Sequence, residues 1–349
     1  MNHFRFFNKQ DVLALTRIRR YETKLGEKIR VISDQRHLSE SLASTPSKYI
    51  LFGIPEDIGI IANGGRPGAD TAWPSFLKSI LNVQGTDSLT GEELLILGEF
   101  NFGELKKVLT ANARNQEELI DACRHAVANV IDAQVEELAK QISGAGKIPL
   151  VIGGGHNNAY PLIKGVSKGL QKAGKIKTTS INVINLDAHA DYRIMEGRHS
   201  GNPFRYANDE GYLRHYAVIG LHENYNSQSM MDDLYSNTNN HYSTYEDIFI
   251  RQRLNFTQAV AQALGFTEDG FTGIELDLDC VQDALSSAIT PCGISVQQAR
   301  QYLSFVATDA KCAYLHICEG ASEIDGFKSD TMGKLISYFV TDFVKENKE

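Results

Sequence analysis

Cysteine is scarce here and does not fall into pairs. The five residues, Cys123, Cys280, Cys292, Cys312 and Cys318, are odd in number and contain no C-x-x-C unit. This excludes a disulfide framework or a structural zinc knot as the organising device and fits a reducing cytoplasm. Long apolar runs are missing too. No stretch approaches the roughly eighteen apolar residues that a transmembrane helix needs. The opening residues lack the apolar core and small-residue cleavage site of a signal peptide, so no secretory route is expected. Nor is there an excess of positive charge. Lys and Arg number 35 against 43 Asp and Glu, and the net charge of -8 argues against nucleic acid or an anionic membrane as the main partner. Internal repeats, low-complexity segments and a Pro/Gly/Ser linker are also absent, which favours one domain.

What is present reads as a soluble globular chain of 349 residues, 42% hydrophobic and 22% charged. Short, nearly continuous apolar runs recur: YILFGI from Tyr49, LLIL from Leu94, IPLVI from Ile148, SINVINL from Ser180, AVIGL from Ala217, GIELDL from Gly273 and YLHIC from Tyr314. Runs of this kind are buried strands of a parallel sheet. Helical spacing lies between several of them, most clearly from Gln116 to Ser143, where Asn115 is a cap and Gly144 and Gly146 are stop signals. The alternation predicts a single-domain α/β fold: a doubly wound, mostly parallel sheet of about eight strands flanked by helices. Residues 1–45 read as a polar helical extension without strand runs, packed on a catalytic domain of residues 46–349. The first half of the polar stretch 225–255 reads as loop.

Three motifs fall at predicted strand ends, where open α/β sheets place their ligands. The first is Gly153-Gly154-Gly155-His156-Asn157-Asn158, a sharp turn with neither the Lys-Ser/Thr of a P-loop nor dinucleotide spacing. The second is Asp187-Ala188-His189-Ala190-Asp191, whose alternate residues point the same way on an extended segment. The third is Glu275-Leu276-Asp277-Leu278-Asp279, which alternates likewise. Each alone has an ordinary reading: a tight turn, a solvated strand end, an amphipathic strand. Together they bring His156, Asp187, His189, Asp191, Asp277 and Asp279 to one rim. Carboxylates leaving a buried strand need compensation, and metal ions supply it. Six ligands exceed the usual set of about three for one catalytic zinc and suit two divalent ions. Oxygen-rich ligation with some imidazole favours manganese, with cobalt or iron as alternatives. Two ions about 3.5–4 Å apart would turn a shared water into a hydroxide nucleophile.

These motifs resemble the ureohydrolase superfamily, which includes arginase, agmatinase, guanidinobutyrase and formimidoylglutamase. The matching features run from about Phe52 to Gly326. The resemblance implies an arginase-like α/β/α sandwich and two Mn2+ per subunit. One ion would be held by His156, Asp187, Asp191 and Asp277, and the other by His189, Asp187, Asp277 and Asp279. It implies that Asp191 passes a proton to the leaving amine and that Glu319 pairs with the amidinium or guanidinium of the substrate. The segment from Asn63 to Ala69, with Arg66, resembles the family's Arg-x-Gly loop. Relatives commonly form trimers or hexamers, so a homo-oligomer is compatible, although TDFVKENKE at the end offers no clasp.

The departures narrow the substrate. Asp191 is followed by Tyr192 and Arg193 where arginase and agmatinase have a small polar residue; an arginine suits a carboxylate better than a cationic tail. The stretch from Arg198 to Phe204 resembles the H-S-S-G-T-x-F of formimidoylglutamases, and a one-residue offset bears on whether His199 takes the proton-shuttle place of the arginase histidine. Glu275 stands where the family pattern has serine, and its D-P is lost. The expected reaction is hydrolysis of N-formimidoyl-L-glutamate to L-glutamate and formamide, a step of histidine breakdown, in the cytoplasm. Catalytic roles fall to Asp191, His199 and Glu319, and substrate binding to Arg193, Asn202, Arg205 and Arg66. A salt bridge from Arg193 to Glu196 is the competing reading of that arginine. The rival functions are a guanidine or guanidino-acid hydrolase releasing urea, a non-catalytic relative, and a metal phosphatase, for which no basic cradle is visible. His222 and Glu223 stand on the same rim, either lining the pocket or forming a polar strand end.

Overall fold

The computed structural model describes residues 2–32 and 34–347. Its apolar runs form the main sheet: β1 (Phe4–Phe6), β2 (Arg30–Val31), β3 (Tyr49–Gly53), β4 (Leu94–Phe100), β5 (Ile148–Ile152), β6 (Ile181–Leu186), β7 (Leu213–Leu221), β8 (Asn240–Thr244), β9 (Thr272–Asp277) and β10 (Cys312–Cys318). The order is β1-β4-β3-β5-β10-β9-β6-β7-β8, and β2 shares the open edge of β4 with β1. Every pairing is parallel except β1 with β4. Seven of the strands, β3 to β7, β9 and β10, are the apolar runs read from the sequence; β8 brings that set to the expected count of about eight, and the short strands β1 and β2 extend the other edge.

Both faces are covered, which is why the central strands are apolar on both sides. Leu150 and Ile152 of β5 join one core layer while Val151 joins the other. Helices Ala72–Ile80, Val296–Asp309 and Met332–Glu346 cover the first face; Asp132–Gly144 and Ala159–Lys172 cover the second. Burying each such Leu, Ile or Phe contributes about 1.5–3 kcal/mol relative to exposure. The predicted helix from Gln116 forms, capped by the Asn115 side chain on the Glu118 N–H, and runs through a π turn at Val127–Ile131 into Asp132–Gly144. Among the described residues no helix is long and apolar enough to cross a membrane.

Two expectations need correction. The first 45 residues are not helical alone, because β1 and β2 are stitched onto β4. Strands of three and two residues are too short to show a sequence period. In the 225–255 stretch, Gln228–Ser236 is a helix and β8 closes the sheet. As an edge strand β8 tolerates polar residues, which hide its alternation.

The sheet order explains where chemistry collects. β5, β10, β9 and β6 are four consecutive strands, and their carboxyl ends carry, in turn, the triple-glycine turn, Glu319, Asp277-Asp279 and Asp187-Asp191.

Candidate active site

The turn after β5 is built to deliver His156. Gly153 and Gly154 have φ of 87° and 81°. A Cβ on Gly154 would lie 2.6 Å from Asn158 Nδ2 and 2.7 Å from the Ile54 carbonyl. Behind the turn sits the buried carboxylate of Glu56, which accepts the Gly155 N–H at 3.2 Å and the side-chain amides of Asn157 and Asn158 at 3.2 and 2.7 Å. His156 is thereby fully buried, with Nδ1 2.8 Å from Asp191, 3.0 Å from Asp277 and 3.3 Å from Asp187. Donor atoms of these four residues all lie within 4.8 Å of one another.

Three of the four aspartates are held by backbone amides. Asp187 accepts the His189 N–H at 2.7 Å, and Asp277 accepts the Asp279 N–H at 2.7 Å. Asp279 accepts the Ala288 N–H at 3.1 Å. The same two-residue spacing that aligned the side chains therefore closes a local clamp. Asp191 sits at φ 47°, a left-handed conformation that turns its side chain back toward the cluster. His189 closes the other side, its Nδ1 3.6 Å from Asp187 and 4.0 Å from Asp279, with its ring stacked on Tyr225.

The electrostatics call for a cation. Burial raises Asp277, Asp191 and Asp279 above the ordinary carboxylate range, and neighbouring Asp187 adds to it. Burial would raise Asp187 too, but His156 and His189 hold it low. Although carboxylate oxygens crowd both edges of the ring, neither nitrogen of His156 has hydrogen-bond geometry to a partner among the described residues. Four crowded carboxylates beside two imidazoles, one with orphaned nitrogens, fit a pair of divalent ions. The first predicted ligand set is gathered tightly; the second is looser and centred on His189.

Glu319 follows β10 at φ 61°. Its carboxylate accepts the His156 N–H at 2.7 Å and the Ser287 hydroxyl at 2.6 Å. Burial and the charge of Asp279 push its pKa up to about 8. A cavity of about 540 Å³ opens above, with His189, Asp191, Asp277, Asp279 and Glu319 on its floor.

The cavity's outer wall contains Arg193, Glu196, Ser200, Tyr225 and Asp233. Arg193 reaches it but is engaged, donating from Nε and Nη2 to Glu196 at 3.0 and 2.6 Å. Four other predicted residues are not among those lining the cavity. His199 is fully buried behind Glu196, with Nδ1 accepting the Gly201 N–H at 3.1 Å. Burial, together with Arg193, lowers its pKa to about 4, so it is neutral. Asn202 is a buried clip, donating to the Gly197 carbonyl at 2.7 Å and accepting from Arg198 at 3.0 Å. Arg205 pairs with Asp209 and Asp233, standing behind the wall. Arg66 donates to the Ser287 carbonyl at 3.3 Å from a half-exposed position. For His199 and Asn202 the physical reason is the same. The loop folds over itself around the buried Arg198–Asp132 pair (2.9 Å), which turns these side chains inward.

Sequence reading missed Glu56, Ser287 and Tyr225. A single acid, serine or tyrosine in a loop carries no spacing signal, and their partners are distant in sequence. His222 is buried in a ring stack between Tyr225 and Tyr245, and Glu223 pairs with Arg251, so the rim role left open for them is structural.

A mostly parallel sheet whose strands β5, β9 and β6 bring six metal-type ligands together at their carboxyl ends, with Glu319 from β10 beside them, defines a metallohydrolase of the α/β type. The Arginase family model matches residues 47–339, and the chain belongs to that family of metal-dependent hydrolases. Among named relatives it is 25% identical to a formimidoylglutamase of Rhodococcus jostii, over 85% of this chain and 86% of that one. It is 27% identical to one of Macrococcus caseolyticus, over 83% of each chain. A formimidoylglutamase of Hahella chejuensis is 31% identical, but over only 54% of this chain and 51% of that one. The formimidoylglutamase structure from Bacillus subtilis superposes with a TM-score of 0.71 at 20% identity, covering 95% of this chain and 94% of that one. A Trypanosoma cruzi formiminoglutamase solved with Mn2+ gives 0.68 at 20% identity, covering 93% and 98%. Those likenesses establish the arginase fold.

Proposed function

We propose that this chain hydrolyses N-formimidoyl-L-glutamate to L-glutamate and formamide, as part of histidine breakdown, using two Mn2+ per subunit. One observation carries the reading: four aspartates, three of them buried, gather with two histidines at the base of a cavity lined by His189, Asp191, Asp277, Asp279 and Glu319. His156, Asp187, Asp191 and Asp277 would hold one ion, and His189, Asp187, Asp277 and Asp279 the other. Bound there, the ions would supply water ionised near neutral pH and positive charge beside the heteroatoms of the developing tetrahedral centre.

The side chains do the rest. Glu319, oriented by Ser287 and the His156 amide, faces the delocalised amidinium, whose positive charge favours the ionised carboxylate that pairs with it. Asp191 takes the proton of the attacking water and returns it to the glutamate nitrogen as the C–N bond breaks. The water oxygen leaves in formamide, and the amine leaves as glutamate. Arg193 meets a substrate carboxylate by exchanging it for Glu196. His199, buried and neutral behind the wall, is left out of the proton path. The names of the Rhodococcus and Macrococcus relatives and the Mn2+ of the Trypanosoma structure support the substrate and the metal. Five free cysteines support a reducing cytoplasm.

A second reading has its own observation: Glu196 and Asp233 also line the cavity, and acids there suit a cationic guanidino compound. Purified Mn2+-loaded protein assayed against formimidoylglutamate, arginine, agmatine and guanidinobutyrate separates the two. Formamide from the first with no urea from the others is expected. Urea release overturns the assignment.

A further inference from the structure

One pleat below the ligand row, the sheet carries a second polar row. Asn185 of β6 is the register partner of Glu275 of β9, and Glu275 is the partner of His316 of β10. Each stands two residues before a member of the row above: Asp187, Asp277 and Cys318. Alternation therefore puts both rows on one face. The rest of that face is apolar core, with Val151, Val183 and Phe204 among its residues.

A carboxylate placed there is costly unless its oxygens are satisfied. Glu275 is fully buried, and among the described residues no Lys or Arg pairs with it. One oxygen accepts the Tyr314 hydroxyl at 2.6 Å. The other accepts the His316 Nδ1–H at 2.7 Å and lies 3.5 Å from His156 Nε2. The opposite edge of the same ring, Nδ1, faces Asp191, Asp277 and Asp187. His156 thus stands between two sets of carboxylates, one at the cavity floor and one inside the core. Asn185 plays a parallel part for β6, donating its amide to Asp187 at 3.0 Å.

We propose that Glu275, held in place by Tyr314 and His316, is a positioning residue for the metal centre: as the acceptor facing the Nε2–H of His156 it keeps the proton on Nε2 and so leaves Nδ1 free for the ion. This rests on the metal half of the function proposed above. Metal-ligating imidazoles nearly always donate their second N–H to a carboxylate, carbonyl or water, and losing that partner costs about 10–100-fold in metal affinity. Glu275 is the carboxylate beside an otherwise unpartnered Nε2. Its own two neighbours explain why it stays fixed in an apolar layer.

The test uses the full chain as wild type, Glu275→Gln, Glu275→Leu and Tyr314→Phe, stripped of metal and titrated with Mn2+. Bound ions per chain are counted by elemental analysis, and the melting midpoint of each metal-free protein is measured alongside. Wild type is expected to take up two ions. Glu275→Leu is expected to weaken one of the two sites about 10–100-fold and leave the other unchanged. Glu275→Gln keeps an oxygen that accepts the N–H and retains most of that affinity; Tyr314→Phe falls between. A purely structural role would shift the melting midpoint without separating the two sites. A folded Glu275→Leu protein with two wild-type sites, or with both weakened alike, overturns the proposal. Should the leucine variant fail to fold, unchanged binding in both Glu275→Gln and Tyr314→Phe overturns it equally. A wild type that binds no pair of ions sinks the metal reading itself, whereas unaltered variants sink only this inference.

Discussion

The floor and the outer wall of the cavity are held by different forces. On the floor, Asp187, Asp277 and Glu319 are each fixed by a backbone amide, of His189, Asp279 and His156 respectively. Those amides belong to the strand ends, so donor positions cannot drift without disturbing the sheet. On the wall, Arg193 is tied to Glu196, and Asp233 to Arg205, by side-chain ion pairs. The Arg193 side chain is 51% exposed. Pairs of that kind contribute about 0–1 kcal/mol each and exchange readily. On the proposed function, the chemistry would be built in stiffly and the selectivity loosely, within one cavity.

The largest effect should come from the floor. In the proposed mechanism Asp191→Asn keeps the shape but removes both the base and one charged ligand of the first ion, and kcat at saturating Mn2+ is expected to fall by about 10²–10⁴-fold. Steady-state kinetics on the Mn2+-loaded protein decide it. A variant within a few-fold of wild type would mean that another group carries the proton. Chelation should abolish activity in the wild type, and added Mn2+ should restore it.

Between floor and wall runs the buried Asp132–Arg198 pair, whose guanidinium also donates to the Asn157 carbonyl at 2.7 Å, beside His156. Asp132→Asn leaves that guanidinium without its countercharge, at a cost of about 3–5 kcal/mol. Urea unfolding should show the loss as a lower midpoint at an unchanged slope. A cost below about 1 kcal/mol would place this clip with the exchangeable pairs of the wall.

The same division governs what could be read from the chain. Floor residues were legible because ligand and clamp lie two residues apart: Asp187 with His189, Asp277 with Asp279. The sheet had only to bring three such units together, and the period-two pattern of apolar strands announced it. Partners of the wall and its backing are distant in sequence, as with Asp132 and Arg198, Arg205 and Asp233, or Glu56 and Asn158. No spacing rule joins them. His199 shows the limit most clearly. Its neighbourhood resembled a family segment, yet the loop's own hydrogen bonds turned the ring inward, and only the folded chain reveals that. Arg193 with Glu196 was legible as an alternative because the two are three residues apart.

His199 also gives the expected pH dependence. Its folded pKa of about 4, set by burial and by Arg193, lies below the ordinary value of 6.5. The unfolded chain therefore takes up the proton first as pH falls. Stability from this group is present above pH 6.5 and is lost as pH drops toward 4. The full loss is on the order of 3 kcal/mol. Urea midpoints of wild type and His199→Gln, followed from pH 7.5 to pH 4.5, should show the wild type falling more steeply. Parallel curves would mean that His199 titrates normally and that the wall is wetter than its packing implies.

The smallest effect is the most specific to the wall. If Arg193 receives a substrate carboxylate, Glu196 competes with it, and Glu196→Gln should lower KM for formimidoylglutamate by several-fold, about 1 kcal/mol, as expected for one exposed pair. Arg193→Ala should raise KM, and the double variant should match Arg193→Ala, because the acid acts only through the arginine. In none of these should kcat change much, since neither residue touches the floor. An unchanged KM in both single variants would make the Arg193–Glu196 pair a structural brace. Selectivity would then lie with Asp233 and the residues around it, which favours a cationic substrate over a diacid.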